Sequence, residues 1–500
     1  LGEVEKMLEL SLSPLPAEKN PVGTKFMPYS GLLISRQPDW VLTAKGYSKY
    51  IWDFESSSTE NLYGRYLSYG HIELSNIKNG FKSYKPADTA WDWSHIPGTT
   101  TKYLTRDELN AQNNNALHRN FSDEAFLGGI AFNQTSSVFA NHLHDNTFDK
   151  SFYARKSVFQ FDSIYTCLGS GIKCADRNHD VHTTLFQNQK VLASDFLIVN
   201  GSPVAQNQTG LVMPFIKDNY GNAYLVRDGN VNTEFGSSFI TASINHGRFI
   251  DGGKYAYQII TGISDEHMGV LYASQNNPVE ILKYDEFAHV VRHHPSKTYA
   301  AVVFNASVTV NSGKLYGVNI PAIIVIQERN DTLEIAFSDP DMHRPSASDI
   351  SSLSADAIKA VGNVSTIKIE LNGEYEMISS DENVLVLKTV PGKTTIEYRE
   401  AKAGETYRIL LKLPATSVTE KEDSTGIGFR LYNRNNHVYR IESDSGSVFN
   451  YTISNLTGSL LFSKKNVMFA DDISLQDLPG GIYFLNLHSE AGKKCLRLLR

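Results

Sequence analysis

Apolar and polar residues alternate with a period of two along most of this chain. "WVLTAKGYSKYIWDF" from Trp40 and "GRYLSYGHIEL" from Gly64 read as successive strands separated by a turn. "GSGIKCADRNHDVHTTLF" from Gly169 reads as a strand, a polar loop and another strand. "KLYGVNIPAIIVIQERNDTLEIAF" from Lys314 predicts two strands about Asn330-Asp331, residue types that suit a turn. Helical periodicity is confined to the first dozen residues. There Leu1, Val4, Leu8 and Leu10 recur among Glu and Lys until Pro14 and Pro16 stop the pattern.

The density of strands from residue 31 to 330 predicts one large antiparallel sandwich rather than several small ones. A second unit is expected over 331–415, carried by "TIKIELNGEYEMI", "NVLVLKTV", "TTIEYREA" and "TYRILLKL". "ATSVTEKEDSTG" then reads as a linker by composition, and residues 428–500 form a third small all-β module. The fold class is therefore mainly β.

Composition narrows the function classes. Hydrophobic residues make up 41% and charged residues 20%, which is ordinary for a globular protein with several cores. The net charge of −7, with no long basic run, argues against a nucleic-acid partner. The most apolar stretch, "IPAIIVIQ" from Ile320, is far too short to span a bilayer. The chain starts without Met or a signal-peptide pattern, so a preceding segment is expected. Cys167 and Cys174 bracket "CLGSGIKC", which suits either a hairpin disulfide or two partly buried thiols.

"AWDWSHIPGTTT", Ala90 to Thr101, holds two of the four tryptophans. Trp91 and Trp93 alternate as in a strand that Pro97-Gly98 would end, so they share a face and fill a core. The competing reading is a wall for a sugar ring, since an indole packs on the apolar face of a pyranose.

Six segments in order resemble the polysaccharide lyase family of chondroitin and hyaluronan lyases: "SRQPDWVLTAKGYSKYIWDFE", "ENLYGRYLSYG", "WDWSHIPGTTT", "EAFLGGIAF", "CLGSGI" with "VHTTLFQN", and "INHG" with "YAYQII". The "KGY", "NLYGRYLSYG" and "WDWSHIPGTT" strings are most similar to those of its broad-specificity chondroitin ABC members. The resemblance spans about residues 1–415. It implies a large central β-sandwich (a supersandwich) and a smaller C-terminal β-sandwich, with residues 1–30 as the end of an α/α toroid and its linker. "LPGGIYFLNLHSEAGKK" near the C-terminus resembles the sorting modules of exported bacterial proteins, implying a secreted or periplasmic location.

The resemblance also implies elimination at a uronic acid. Such chemistry needs a group to neutralise the carboxylate, a base for the C5 proton and an acid for the leaving oxygen. The family's His and Tyr are expected upstream of this chain. The family's Arg falls on Arg36 in "SRQPDW", and its Glu on Glu124 in "DEAFLGGIAF", with Asp123 as the neighbour open to confusion. Glu124 is expected to hydrogen-bond Arg36 and the His. Arg65, Trp91 and Trp93 are candidate substrate contacts, against readings as a cross-strand ion pair and as core. His142 and His144 of "NHLHD" are expected on one face of a strand. The implied partner is a polyanionic glycosaminoglycan acted on by a monomer. No cofactor is required, and calcium or magnesium has no support in the sequence. The other class open to this sequence is a non-catalytic carbohydrate-binding sandwich.

Overall fold

The computed structural model describes residues 2–12, 20–57, 59–80, 90–110, 118–262, 270, 277–344, 364–380, 384–402, 404–412, 429–433, 437–443, 448–468, 470–489 and 492–500. Pro14, Pro16 and the expected linker at 415–426 lie outside them. No helix among the described residues is long and apolar enough to cross a membrane.

Strand periodicity dictates a stack of sheets. Successive side chains on a strand point to opposite faces, so a strand covered on both sides feeds two cores at once. The strand Ile250–Ile260 does this: Tyr255, Tyr257 and Ile259 enter one core, while Ala256 and Ile260 enter the next. Phe159 and Phe161 of Tyr153–Phe161 join the second core and Val158 the first. Burying such a side chain contributes about 1.5–3 kcal/mol.

Both strands belong to a nine-stranded antiparallel sheet at the centre of the molecule. Its first face is covered by two sheets. One has four strands, in the order Gly23–Met27, Leu32–Arg36, Trp40–Lys45 and His71–Asn76; the other has five, including Val181–Gln189 and Phe239–Gly247. Its second face packs on a seven-stranded sheet that includes Thr298–Val303 and Ala322–Arg329. The far side of that sheet meets a four-stranded sheet containing Ser365–Asn372 and Lys393–Ala401. Within Thr298–Val303, Ala300 and Val302 serve the second core and Ala301 and Val303 the third. The strands from Phe429 onward form a further pair of sheets around Ile441, Tyr451 and Leu485.

The hairpin about Asn330-Asp331 forms as expected, Ala322–Arg329 with Thr332–Ser338, and Asn330 takes a positive φ of 53° at the turn. The sheet boundary differs from the sequence reading. The strands Val279–Tyr284, Ala288–His293, Thr298–Val303, Ala322–Arg329 and Thr332–Ser338 share one sheet with Tyr407–Lys412 and not with the central layers, so the second sandwich starts near residue 279 and not 331. The strands Ala288–His293, Thr298–Val303 and Ala322–Arg329 are buried on both faces over most of their length, so no change in polarity marks the crossing.

Cys167 and Cys174 do not flank a hairpin. Both lie on the single strand Ile164–Cys174, about 23 Å apart by strand rise, and both are free thiols. The loop after this strand crosses between layers: Val181–Gln189 pairs in the five-stranded sheet. The opening helix, Gly2–Ser11, buries none of its residues.

Candidate functional site

The tryptophans of "AWDWSHIPGTTT" are core, and they lie ahead of the short strand Thr100–Lys102 rather than within a strand. Trp91 is 3% exposed and meets Phe239 edge-on at 5.3 Å; Trp93 is 6% exposed and lies 6.3 Å from Tyr63. Gly98 explains the turn. Its φ is +77°, and a Cβ there would stand 2.6 Å from the Ile72 backbone nitrogen.

Arg65 is also committed to the interior. Its Nη2 donates to Asp145 Oδ2 at 2.9 Å, and the guanidinium lies 4.0 Å from the Phe148 ring centroid. It is 5% exposed and lies on the 3-10 turn Gly64–Tyr66, so its ion pair is not a cross-strand one.

Glu124 takes part in a different constellation from the one expected. The strand Ser136–His144 ends with His142 and His144 on one face, as the alternation predicts. Glu124 Oε2 lies 2.9 Å from His142 Nδ1, and Asp123 Oδ1 lies 2.5 Å from His144 Nδ1. The His144 ring stacks on Tyr153 at 3.8 Å. Its Nε2 faces the Lys150 carbonyl at 3.2 Å. Both ring nitrogens thus face oxygen atoms. Burial, with Asp123 and Glu124 adding to it, raises the Tyr153 phenol above its usual pKa. His142 Nε2 has no hydrogen-bond partner among the described residues.

Arg36 stands apart from this group. The Lys49 amide donates to the Glu124 carbonyl, and the Gly46 amide to the Gly31 carbonyl, which places Glu124 beside the Leu32 end of Leu32–Arg36. Arg36 is at the other end, about 13 Å along the strand. Glu124 pairs with His142, at the end of this strand away from Arg36.

Arg36 belongs to the outward face of the four-stranded sheet. Register places Lys25, Ile34, Thr43 and Glu73 in one row across that face. Arg36, Val41 and Ser75 form the next row on one side, and Leu32, Lys45 and His71 the row on the other. Leu33, Ser35, Leu42 and Ala44 alternate with them and point into the core. A cleft of about 440 Å³ opens against this face, lined by residues of 71–80 and 187–191 with Trp91, Tyr220 and Phe239.

Trp52 was not distinguished by the sequence pattern. It lies between the buried Ile51 and Asp53, is 42% exposed, and stands 6.1 Å from Phe121. Nothing in its flanking residues separates it from the buried tryptophans, because Tyr50, Trp52 and Phe54 continue the same alternation.

The super-sandwich domain of polysaccharide lyase family 8 matches residues 22–212, and the C-terminal β-sandwich domain of the same family matches residues 280–347. The chain belongs to polysaccharide lyase family 8. This family 8 chain is 29% identical over 365 residues to the chondroitin sulfate ABC exolyase of Proteus vulgaris, a match covering 65% of this chain and 35% of that protein. It is 27% identical over 392 residues to the chondroitin sulfate ABC endolyase of the same organism, covering 72% and 36%. The family 8 chain thus spans about a third of the length of the curated relatives it matches.

Solved structures share its fold. A Paenibacillus xanthan lyase superposes with a TM-score of 0.68 at 17% identity, over 99% of this chain and 52% of that one. The Streptomyces coelicolor A3 chondroitin AC lyase in complex with chondroitin sulphate gives 0.61 at 18%, over 82% and 52%. Residues 433–499 match a secretion system C-terminal sorting domain, which points to export of the family 8 chain.

Proposed function

We propose that this chain is the β-rich part of a secreted or periplasmic glycosaminoglycan lyase that cleaves chondroitin and dermatan sulfate by β-elimination. The observation that carries the reading is the pair of family 8 matches in order along one chain, on layers shared with two glycan lyases. The kinship to chondroitin sulfate ABC lyases supports the substrate class.

In the elimination, a base removes the C5 proton of the uronate. The C4–O4 bond breaks, a double bond forms between C4 and C5, and an acid protonates the leaving oxygen. The products are an unsaturated uronate and a free hydroxyl, with no cofactor consumed. Neutralising the carboxylate lowers the barrier, because charge accumulates on it as the proton leaves. The proposed base and acid are a His and a Tyr supplied upstream. Glu124 orients His142 at the rim of the central sheet, and Arg36 offers its guanidinium to the polymer's anionic groups two or three sugars away.

Incubating the complete protein with chondroitin 4-sulfate, dermatan sulfate and hyaluronan, and following the ultraviolet absorbance of the unsaturated product, tests this reading. Absorbance should rise with the first two polymers, and Glu124→Gln should slow it by about 100-fold or more. No rise with any polymer would leave a non-catalytic carbohydrate-binding sandwich as the better reading.

A further inference from the structure

The overall charge of −7 opposes a polyanionic partner, so the placement of cations matters more than their number. Five basic residues border one continuous surface. Lys25, Arg36 and Lys45 occupy the outward face of the four-stranded sheet, and Lys78 and Lys190 stand at the cleft that opens against it. Glu73 is the acidic residue in those rows and among the residues that line that cleft. Among the described residues none of the five cations makes a salt bridge within 4 Å. Lys45 instead donates to the Gly46 carbonyl at 2.6 Å.

The cleft has the size of a saccharide site. Its 440 Å³ is within the usual range for a small-molecule site. Its lining includes the Gln189 side-chain amide and one half-buried aromatic, Tyr220. Gly221 is shaped around one of the cations. At φ +81° it has no side chain where the Lys78 ammonium passes, and a Cβ there would come within 2.3 Å of Lys78 Nζ.

We propose that this cleft and the sheet face beside it form an accessory binding track for an anionic polysaccharide, with Lys78 and Lys190 receiving sulfate or carboxylate groups and Arg36 continuing the contact along the sheet. Arg36 stands at the end of Leu32–Arg36 opposite the Glu124–His142 rim. The track rests on the glycosaminoglycan reading for the class of polymer, and it adds a holding site that does not itself break bonds.

Calorimetric titration of the 500-residue chain with a chondroitin 4-sulfate oligosaccharide tests the track. The parent chain should bind, and binding should weaken as salt rises, because exposed charges are screened. The double variant Lys78→Gln, Lys190→Gln should bind about tenfold more weakly. A control variant, Lys173→Gln, removes an exposed lysine that pairs with Asp251 and should bind as the parent does. Neutral dextran should not bind. No binding by the parent chain, an unchanged affinity in the double variant, or equal binding of dextran would each overturn the proposal. Those results leave the lyase reading standing, because that reading is decided by the unsaturated product of the complete protein.

Discussion

The Lys156 ammonium donates to the Gly98 carbonyl at 2.6 Å and to Thr100 Oγ1 at 2.9 Å, which pins the Pro97–Gly98 turn to the nine-stranded sheet. The lysine is 4% exposed and has no carboxylate within ion-pair distance among the described residues. Burial brings its pKa down to about 7. In the unfolded chain it regains an ordinary lysine pKa, so between about pH 7 and 10 the unfolded state binds more protons. Stability should therefore rise with pH in that window, by up to about 1.4 kcal/mol per unit from this group. Urea midpoints at pH 7, 8 and 9 should climb in the parent and flatten in Lys156→Met. Parallel slopes in the two proteins would show that Lys156 is not the cause.

The buried Arg65–Asp145 pair sets a second expectation. Removing one partner strands the other charge in the core, so Arg65→Ala and Asp145→Ala should each cost about 3–5 kcal/mol. The double variant should cost clearly less than the sum. A double-mutant cycle from urea unfolding measures the coupling, and simple additivity would contradict the buried pair.

Trp93→Ala should lower stability by about 3–5 kcal/mol, since it empties a packed site beside Tyr63. On the proposed lyase reading, the KM of the complete protein below its melting temperature should be nearly unchanged. A raised KM with normal stability would return Trp93 to the substrate.

The thiols offer an inexpensive test of the long central strand. Cys167 is buried, and burial pushes its pKa up to about 12, whereas Cys495 is exposed. In the native protein a thiol reagent should modify Cys495 quickly and Cys167 only on unfolding. Reducing agent should leave Tm unchanged. A drop in Tm on reduction would point to a bond between Cys167 and Cys174.

Strands and turns were legible where one face meets solvent or a turn needs a special backbone. The Asn330 hairpin is such a case, because the sequence supplies both the alternation and the residue that tolerates positive φ. Trp91 and Trp93 misled because two aromatics spaced by one residue imitate a strand whether or not the backbone extends. The second sandwich was placed too late because Ile323 to Ile326 are apolar on both faces, as are the strands of the central sheet before them. At the site, the residue types at positions 123, 124, 142 and 144 were visible, but their pairing was not. Glu124 meets His142 through contacts between a loop and the end of a strand, which no local spacing encodes.

The central sheet has no side of its own. Phe159, Leu168 and Ile260 belong to the core shared with Val291 and Ile323, while their neighbours Val158, Cys167 and Ile259 serve the opposite one. Cutting the chain near residue 279 would not release two proteins, because each piece would be left with half of a common wall. Loss of the second sandwich would also expose the apolar residues on that side of the central sheet to water. For a protein whose sugars would lie along one outer layer, the alignment of that surface is thus set by packing three layers beneath it.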